Sequence, residues 1–134
     1  METAPMLDVN PGTVCRLIDL AREFHAEQEL DVADDAQALD DDWQARIIEP
    51  HTEDPILEEF CSLIDDLNPD QQQQVVGLLW LGRGDYELDE WDELLEYAEQ
   101  AWNRKTGEYL LAHPMLAEHL TVGLERHGYS CAEF

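Results

Sequence analysis

Residues 80–92 form the segment of this chain whose residue types are most typical of a functional site. The segment reads Trp-Leu-Gly-Arg-Gly-Asp-Tyr-Glu-Leu-Asp-Glu-Trp-Asp and sets one arginine between two of the four tryptophans. An arginine beside aromatic rings can hold an anion or anchor a protein partner, because a guanidinium forms directed hydrogen bonds and stacks on rings. It can equally pair with Asp85 or Glu87 and fix the local turn. We favour this structural role for Arg83, since most exposed pairs of this kind are local ties.

A calcium loop is an alternative for the same segment. Asp85 and Asp92 stand where an EF-hand carries its fifth and twelfth residues, but the first and third would be Leu81 and Arg83. The sixth residue would be Tyr86 instead of glycine. A calcium loop needs oxygen ligands at the early positions and a glycine at its sharp turn. The sequence therefore favours a helix–turn–helix corner.

Other catalytic and metal-binding patterns are weak or missing in the sequence. It contains no phosphate-binding glycine loop, no G-x-S-x-G elbow and no H-E-x-x-H motif. His25 and Glu29 lie four residues apart on a predicted helix and could reach one metal ion, although a single pair is a weak signal. Cys61 falls near the apolar side of a helix, which is typical of a small core residue. We predict no catalytic residue and no cofactor.

The chain is strongly acidic, with 32 Asp and Glu against 7 Lys and Arg and a formal net charge of −25. Nucleic acids and anionic membrane surfaces are bound by basic residues, so this charge argues against both as partners. A basic protein is the charged partner that it favours, although acidity also serves solubility. No segment reaches the roughly 18 apolar residues of a membrane span.

The three cysteines are Cys15, Cys61 and Cys131, which are far apart in the sequence and form no C-x-x-C motif. An odd number of separated cysteines fits a reducing compartment, with thiols that are buried or idle. The first residues, Met1–Pro5, lack the basic and apolar regions of a signal peptide. We therefore expect a cytoplasmic protein.

Start and stop signals divide most of the chain into short helices. Three helices begin with a capping side chain and a proline at the first helical position, at Asn10-Pro11, Asp54-Pro55 and Asn68-Pro69. Gly82 and Gly84 can supply positive φ angles that end a helix, and Asp89 can cap the next one. Gly123 lies on the inward side of the last helix, where a glycine lets another helix approach closely.

Apolar residues recur at helical spacing through these segments, and no stretch alternates as a half-buried strand does. We predict a single all-α domain over residues 1–134, a compact bundle of about five helices with a short tail at 129–134.

Residues 30–53 interrupt the helical pattern with a dense run of aspartates. We interpret this segment as a solvated connection of a length that is unusual inside a compact domain. Trp43, Ile47 and Ile48 interrupt the run and can either dock on the core or contact a partner. We favour docking, because an exposed tryptophan is costly unless it is used.

The second half of the chain carries a set of short motifs: Trp80-Leu81-Gly82-Arg83-Gly84-Asp85-Tyr86, then Trp91, Thr106 with Tyr109-Leu110-Leu111, Pro114-Met115-Leu116 and Gly123-Leu124. In these motifs the chain resembles the DUF3775 family of bacterial proteins of unknown function, over most of its length from the first helix to Gly128. Gly107 and the pair Ala112-His113 depart from the family pattern, which affects only the turn before the last helix. The resemblance supports the helical fold and implies no activity, cofactor or catalytic residue.

Three functions are compatible with these observations. We favour a small acidic, non-catalytic protein that binds a basic protein partner, with these candidate contact residues: Trp80, Arg83, Asp85, Tyr86, Trp91 and Trp43. The first alternative is a homo-oligomer in which Trp43 or Trp91 fills the self-interface. The second is a metal-assisted or acid/base enzyme with carboxylates between its helices.

Overall fold

The computed structural model describes residues 7–28 and 54–133 of the chain. The described residues form six α-helices: α1 (Pro11–Gln28), α2 (Pro55–Asp66), α3 (Pro69–Arg83), α4 (Trp91–Ala101), α5 (Thr106–Leu111) and α6 (Leu116–Arg126). Short 3₁₀ turns lie at Leu88–Glu90 and Cys131–Glu133. These residues contain no strand, which confirms the predicted all-α bundle. Trp43 and the predicted acidic connection lie outside the described residues.

Side-chain caps fix where the first three helices begin, as predicted from the sequence. Asn68 and Gln71 form a reciprocal capping box, in which Oδ1 of Asn68 accepts the N–H of Gln71 at 2.8 Å and Oε1 of Gln71 accepts the N–H of Asn68 at 3.1 Å. Asp54 and Asn10 each accept one backbone N–H at 2.8 Å at the starts of α2 and α1. These bonds satisfy donors that a helix start otherwise leaves without a partner.

The core lies between the helices and is formed by aliphatic and phenyl side chains. The largest fully buried ones are Phe24, Phe60, Leu17, Ile18, Leu20, Ile64, Leu78, Leu79, Leu81, Leu94 and Leu110. Each such side chain stabilises the fold by about 1.5–3 kcal/mol relative to an exposed position. None of the described helices has the length and apolar character that crossing a membrane requires.

The crossing of α3 and α6 depends on two glycines. A Cβ atom on Gly123 would lie 2.4 Å from the carbonyl oxygen of Leu78, and one on Gly82 would lie 1.7 Å from that of His119. Glycine therefore lets the two backbones touch, as predicted for Gly123. The prediction that Gly82 ends α3 through a positive φ is wrong, because Gly82 lies within the last turn. Gly84 alone caps the helix, with φ +91°.

A disulfide bond joins Cys15 in α1 to Cys131 in the last 3₁₀ turn, across a sequence separation of 116 residues. Their Cα atoms lie 5.6 Å apart. The prediction of buried or idle thiols is therefore wrong for this pair, because the fold brings together two cysteines from opposite ends of the chain.

Cys61 is a free, half-buried cysteine in α2. A Cβ atom on Gly107 would lie 3.0 Å from its Sγ, so α5 packs closely against it. Burial, followed by the nearby carboxylates of Glu108 and Asp65, raises the pKa of the Cys61 thiol to about 12. A thiol with so high a pKa holds its proton at neutral pH, which agrees with a packing role.

Candidate functional site

The corner between α3 and α4 is held by contacts among its own residues. Nε of Arg83 donates to Oδ2 of Asp85 at 2.9 Å, and Nη2 of Arg83 donates to the same oxygen at 2.5 Å. Arg83 therefore forms the local pair with Asp85 that was predicted as its structural role. Both side chains are partly exposed, so the pair orders the corner more than it stabilises the fold.

Acidic side chains surround the start of α4. Oε1 of Glu90 accepts the backbone N–H of Glu87 at 2.8 Å and closes the 3₁₀ turn. The prediction that Asp89 caps α4 is wrong, because this turn places Glu90 at the N-cap position. Asp92 and Glu93 follow in the first helical turn, where the helix dipole favours negative charge.

Three aromatic rings form a partly exposed row beside this corner, which we call the aromatic ladder: Trp80, Tyr86 and Tyr97. The centroid of the Tyr86 ring lies 6.3 Å from that of Trp80 and 6.2 Å from that of Tyr97. The planes of the two pairs differ by 30° and 34°, so Tyr86 is stacked on Trp80 and Tyr97 is tilted against Tyr86. Tyr97 is 47% exposed, so the ladder presents an aromatic end to solvent.

The aromatic ladder lies in a negative electrostatic environment. Burial of the hydroxyl raises the pKa of Tyr86, and so do the neighbouring Tyr97 and the carboxylates of Glu93, Asp85 and Glu90. The carboxylates act in this direction because negative charge opposes the loss of a proton. The same negative potential attracts a cation or a basic surface.

A cavity of about 180 Å³ opens between α3, α4 and α5. We call it the aromatic cavity; its lining includes Val76, Trp80, Ala98, Ala101, Trp102, Asn103, Thr106 and Tyr109. Trp80 belongs to both the ladder and the cavity, so the two features share one ring. Nε1 of Trp80 donates to the hydroxyl oxygen of Tyr109 at 3.3 Å, which ties two walls of the cavity together.

A buried glutamine fixes the third aromatic wall of the cavity. Nε1 of Trp102 donates to Oε1 of Gln72 at 2.8 Å. Nε2 of Gln72 in turn donates to the carbonyl oxygens of Ile64 and Leu67 at 2.9 and 3.1 Å. Trp102 is therefore anchored to the end of α2, and its position depends on packing between three helices.

His113 is buried close to this site, with 4% of its surface exposed. Nδ1 of His113 lies 2.9 Å from the carbonyl oxygen of Tyr109, which fits a neutral ring that donates from Nδ1. Within the described residues, Nε2 of His113 has no hydrogen-bond partner. Burial and the positive charge of Arg83 lower the pKa of His113 to about 4, although backbone hydrogen bonds oppose this shift. The ring is therefore uncharged at neutral pH.

The low pKa of His113 predicts a loss of stability in acid. In the unfolded chain the ring has its ordinary pKa near 6.5, so between pH 6.5 and about pH 4 the unfolded state binds more protons. The stability that the neutral ring contributes is complete above pH 6.5 and falls by about 1.4 kcal/mol per pH unit below it. We expect His113→Gln to remove this component, because glutamine keeps a donor and does not titrate.

Urea unfolding between neutral pH and about pH 5, above the isoelectric point near 4.1, measures this difference. His25 and His119, whose pKa values burial also lowers, are present in both proteins and cancel in the comparison. The same pH dependence in wild type and variant would contradict the assignment to His113.

The structure brings four of the predicted contact residues together at the corner: Trp80, Arg83, Asp85 and Tyr86. Trp91 lies in the core, where its side chain is only 3% exposed. Its ring packs edge-on against that of His127, with the two ring centroids 4.3 Å apart. The candidate Trp43 lies outside the described residues. The candidate surface is therefore built on Trp80 and Tyr86, and Trp91 belongs to the core.

Of His25 and Glu29, the weak candidates for metal ligands, only His25 lies among the described residues. Nε2 of His25 lies 2.9 Å from the carbonyl oxygen of Leu111 and so takes part in a contact between α1 and α5. Glu29 lies outside the described residues. Within residues 7–28 and 54–133, no group of three or more His, Cys, Asp or Glu side chains is arranged to hold a metal ion.

The contributions of Tyr97, Trp102 and Tyr109 to the site were missed in the sequence. The structure places Trp102 at the end of α4, where its ring is half buried. The available signal was the spacing of Tyr97, which follows Leu94 by three residues and precedes Ala98 by one and so lies at the edge of the apolar side of the helix. An exposed aromatic residue there indicates a possible contact surface.

The residues of the ladder and the cavity lie within the part of the chain that matches a known family model. The model, described as "Protein of unknown function (DUF3775)", matches residues 57–129, which is more than half of the chain. No curated protein and no solved structure matches the chain. The match begins at Leu57 within α2 and extends through α6, and it confirms the family resemblance of the sequence motifs. The first helix, α1, lies outside the matched residues. The chain belongs to the DUF3775 family.

Proposed function

We propose that this protein is a non-catalytic binding module that recognises a basic protein partner through the aromatic ladder. The observation that carries the proposal is the exposed Tyr97 end of the ladder, together with the carboxylates of Asp85, Glu90 and Glu93 that act on Tyr86. Aromatic side chains favour the centres of interfaces, because they bury a large area and lose few rotatable bonds.

The net charge of −25 supports a basic partner over an acidic one. Opposite charges steer two proteins into encounter, whereas like charges facing each other cost several kcal/mol. The ladder is the surface on which the attracted partner would bind, since apolar parts of the partner can cover its rings. Arg83 and Asp85 act mainly by holding the corner in shape, because they pair with each other.

A self-interface built on Trp91 has little support, since a side chain with 3% exposure has almost no surface to offer a second copy. We infer a bacterial source from the family resemblance. A cytoplasmic location, inferred from the sequence, stays a prediction. The cysteines do not support this location, because Cys15 and Cys131 form a disulfide bond and such bonds persist mainly in oxidising compartments.

Affinity capture from a lysate of the source organism tests the proposed function. We expect wild-type protein to retain one basic protein at low salt and less of it at moderate salt, because salt screens exposed charges. Tyr97→Ala should weaken retention about tenfold or more, which is the loss typical of an aromatic residue at the centre of an interface.

Val122→Ala is the matched control, since Val122 is an exposed apolar residue of α6 outside the ladder. It should retain the partner as wild type does. Retention by Tyr97→Ala equal to that by wild type would remove the ladder from the interface. Capture of an acidic protein would contradict the electrostatic part of the proposal.

A further inference from the structure

We propose that the aromatic cavity accepts a single cationic side chain, arginine or lysine, of the protein that the ladder binds. This inference rests on the proposed function and adds the kind of residue that the site takes.

The size of the cavity fits one side chain. Its volume of about 180 Å³ is below the roughly 300–1,000 Å³ of pockets that hold cofactors and drug-sized ligands. The cavity adjoins the ladder at one ring, since Trp80 lines the cavity and also stacks on Tyr86. A partner lying over the ladder could therefore place one side chain into the cavity.

The walls offer ring surface instead of indole donors. Nε1 of Trp80 already donates to the hydroxyl of Tyr109, and Nε1 of Trp102 already donates to Gln72. Such walls suit apolar groups or a cation, because an ammonium or guanidinium is attracted to the electron-rich face of a tryptophan or tyrosine ring. An arginine or lysine side chain has both an apolar stem and a cationic head.

The surrounding charge favours the cation over a purely apolar group. The carboxylates of Asp85, Glu90 and Glu93 act on Tyr86, whose ring is stacked on Trp80 at the edge of the cavity. Arg104 and Lys105 follow the end of α4, but they line a different pocket together with Asp65 and Glu108. Trp80 thus joins the wall of the cavity to a ring on which three carboxylates act.

The cavity is also held in shape before any ligand binds. Gln72 is 7% exposed and connects Trp102 to the last carbonyl groups of α2, while Trp80 and Tyr109 are bonded to each other. Walls that are already ordered lose little conformational entropy on binding, which favours recognition of a small group.

Titration of the full ¹⁵N-labelled chain with capped Gly-X-Gly peptides tests this inference, where X is arginine, lysine, citrulline or norleucine. We expect the indole N–H signals of Trp80 and Trp102 to shift in a saturable way with arginine or lysine. The uncharged citrulline and norleucine peptides should bind at least about tenfold more weakly. Trp91 is buried away from the cavity, so its signal serves as the internal reference.

Equal binding of the norleucine peptide would overturn the inference and identify an apolar site. The absence of a saturable shift with all four peptides would also overturn it. Ala101→Phe separates the cavity from the ladder, because Ala101 lines the cavity from an exposed position at the end of α4. It should reduce capture of the partner about tenfold. Capture that survives Ala101→Phe and is lost with Tyr97→Ala would reject the cavity inference and leave the proposed function intact.

Discussion

Replacing Gly82 with alanine is expected to lower the free energy of unfolding by about 3 kcal/mol or more. The added Cβ atom would lie 1.7 Å from the carbonyl oxygen of His119 and 2.9 Å from its Cα atom. Both atoms belong to the backbone of α6, so they cannot rotate away as the end of a side chain can. The two helices must separate, which opens the core along their whole contact.

Gly84→Ala is the matched control, since both glycines lie near the end of α3. A Cβ atom on Gly84 meets nothing within 4 Å, so its cost comes only from the positive φ of +91°. That cost is about 1–2 kcal/mol. Urea unfolding at neutral pH compares the two variants with wild type. Equal losses for both would mean that Gly82 acts as a helix terminator and not as a packing residue.

Removing the disulfide bond with Cys15→Ser and Cys131→Ser together is expected to lower the free energy of unfolding by about 3–4 kcal/mol. The bond closes a loop with a sequence separation of 116 residues, and so restricts the unfolded chain far more than the folded one. It also fastens the end of the chain to α1, so the last 3₁₀ turn should fray without it.

Urea unfolding of the wild type, with and without a thiol reductant, measures this effect. Reductant should destabilise the wild type to the level of the double variant and leave the double variant unchanged. Cys61→Ala is the control, because it removes the free cysteine and should keep the response to reductant. Three titratable thiols in the unfolded wild type, with no effect of reductant on stability, would contradict the bond.

Local signals in the sequence predicted much of the fold. The starts of α2 and α3 followed from Asp54-Pro55 and Asn68-Pro69, because a cap and its helix are neighbours in the chain. Gly123 was also assigned correctly to a helix contact, since its spacing from the apolar residues of α6 placed it on the inward side. Such features depend only on residues within a few turns of one another.

Other features depend on distant parts of the chain and could not be predicted in this way. Gly82 lies two residues before Gly84 in a pattern typical of a helix end, and only the approach of α6 shows its packing role. Cys15 and Cys131 stand near opposite ends of the sequence, so their spacing does not reveal the bond. A one-dimensional pattern does not specify which helices meet.

The candidate site also combines residues that local sequence motifs predicted with residues that only tertiary packing brings in. Trp80 and Tyr86 were chosen together because they share one short motif, and the structure stacks their rings. Tyr97 in α4 and Trp102 just after it join the site through tertiary packing, so their roles are evident only from the fold. Trp91 was predicted as a contact residue, and its burial places it in the core.

The most direct test of the central claim is site-specific cross-linking of the full chain in cells of the source organism. A photo-reactive phenylalanine analogue at position 97 would report what touches the exposed end of the ladder. The same analogue at position 62, which is exposed on α2, is the control. We predict that position 97 cross-links to one basic protein and that position 62 does not. No cross-link at position 97, or the same set of proteins at both positions, would contradict binding through the aromatic ladder.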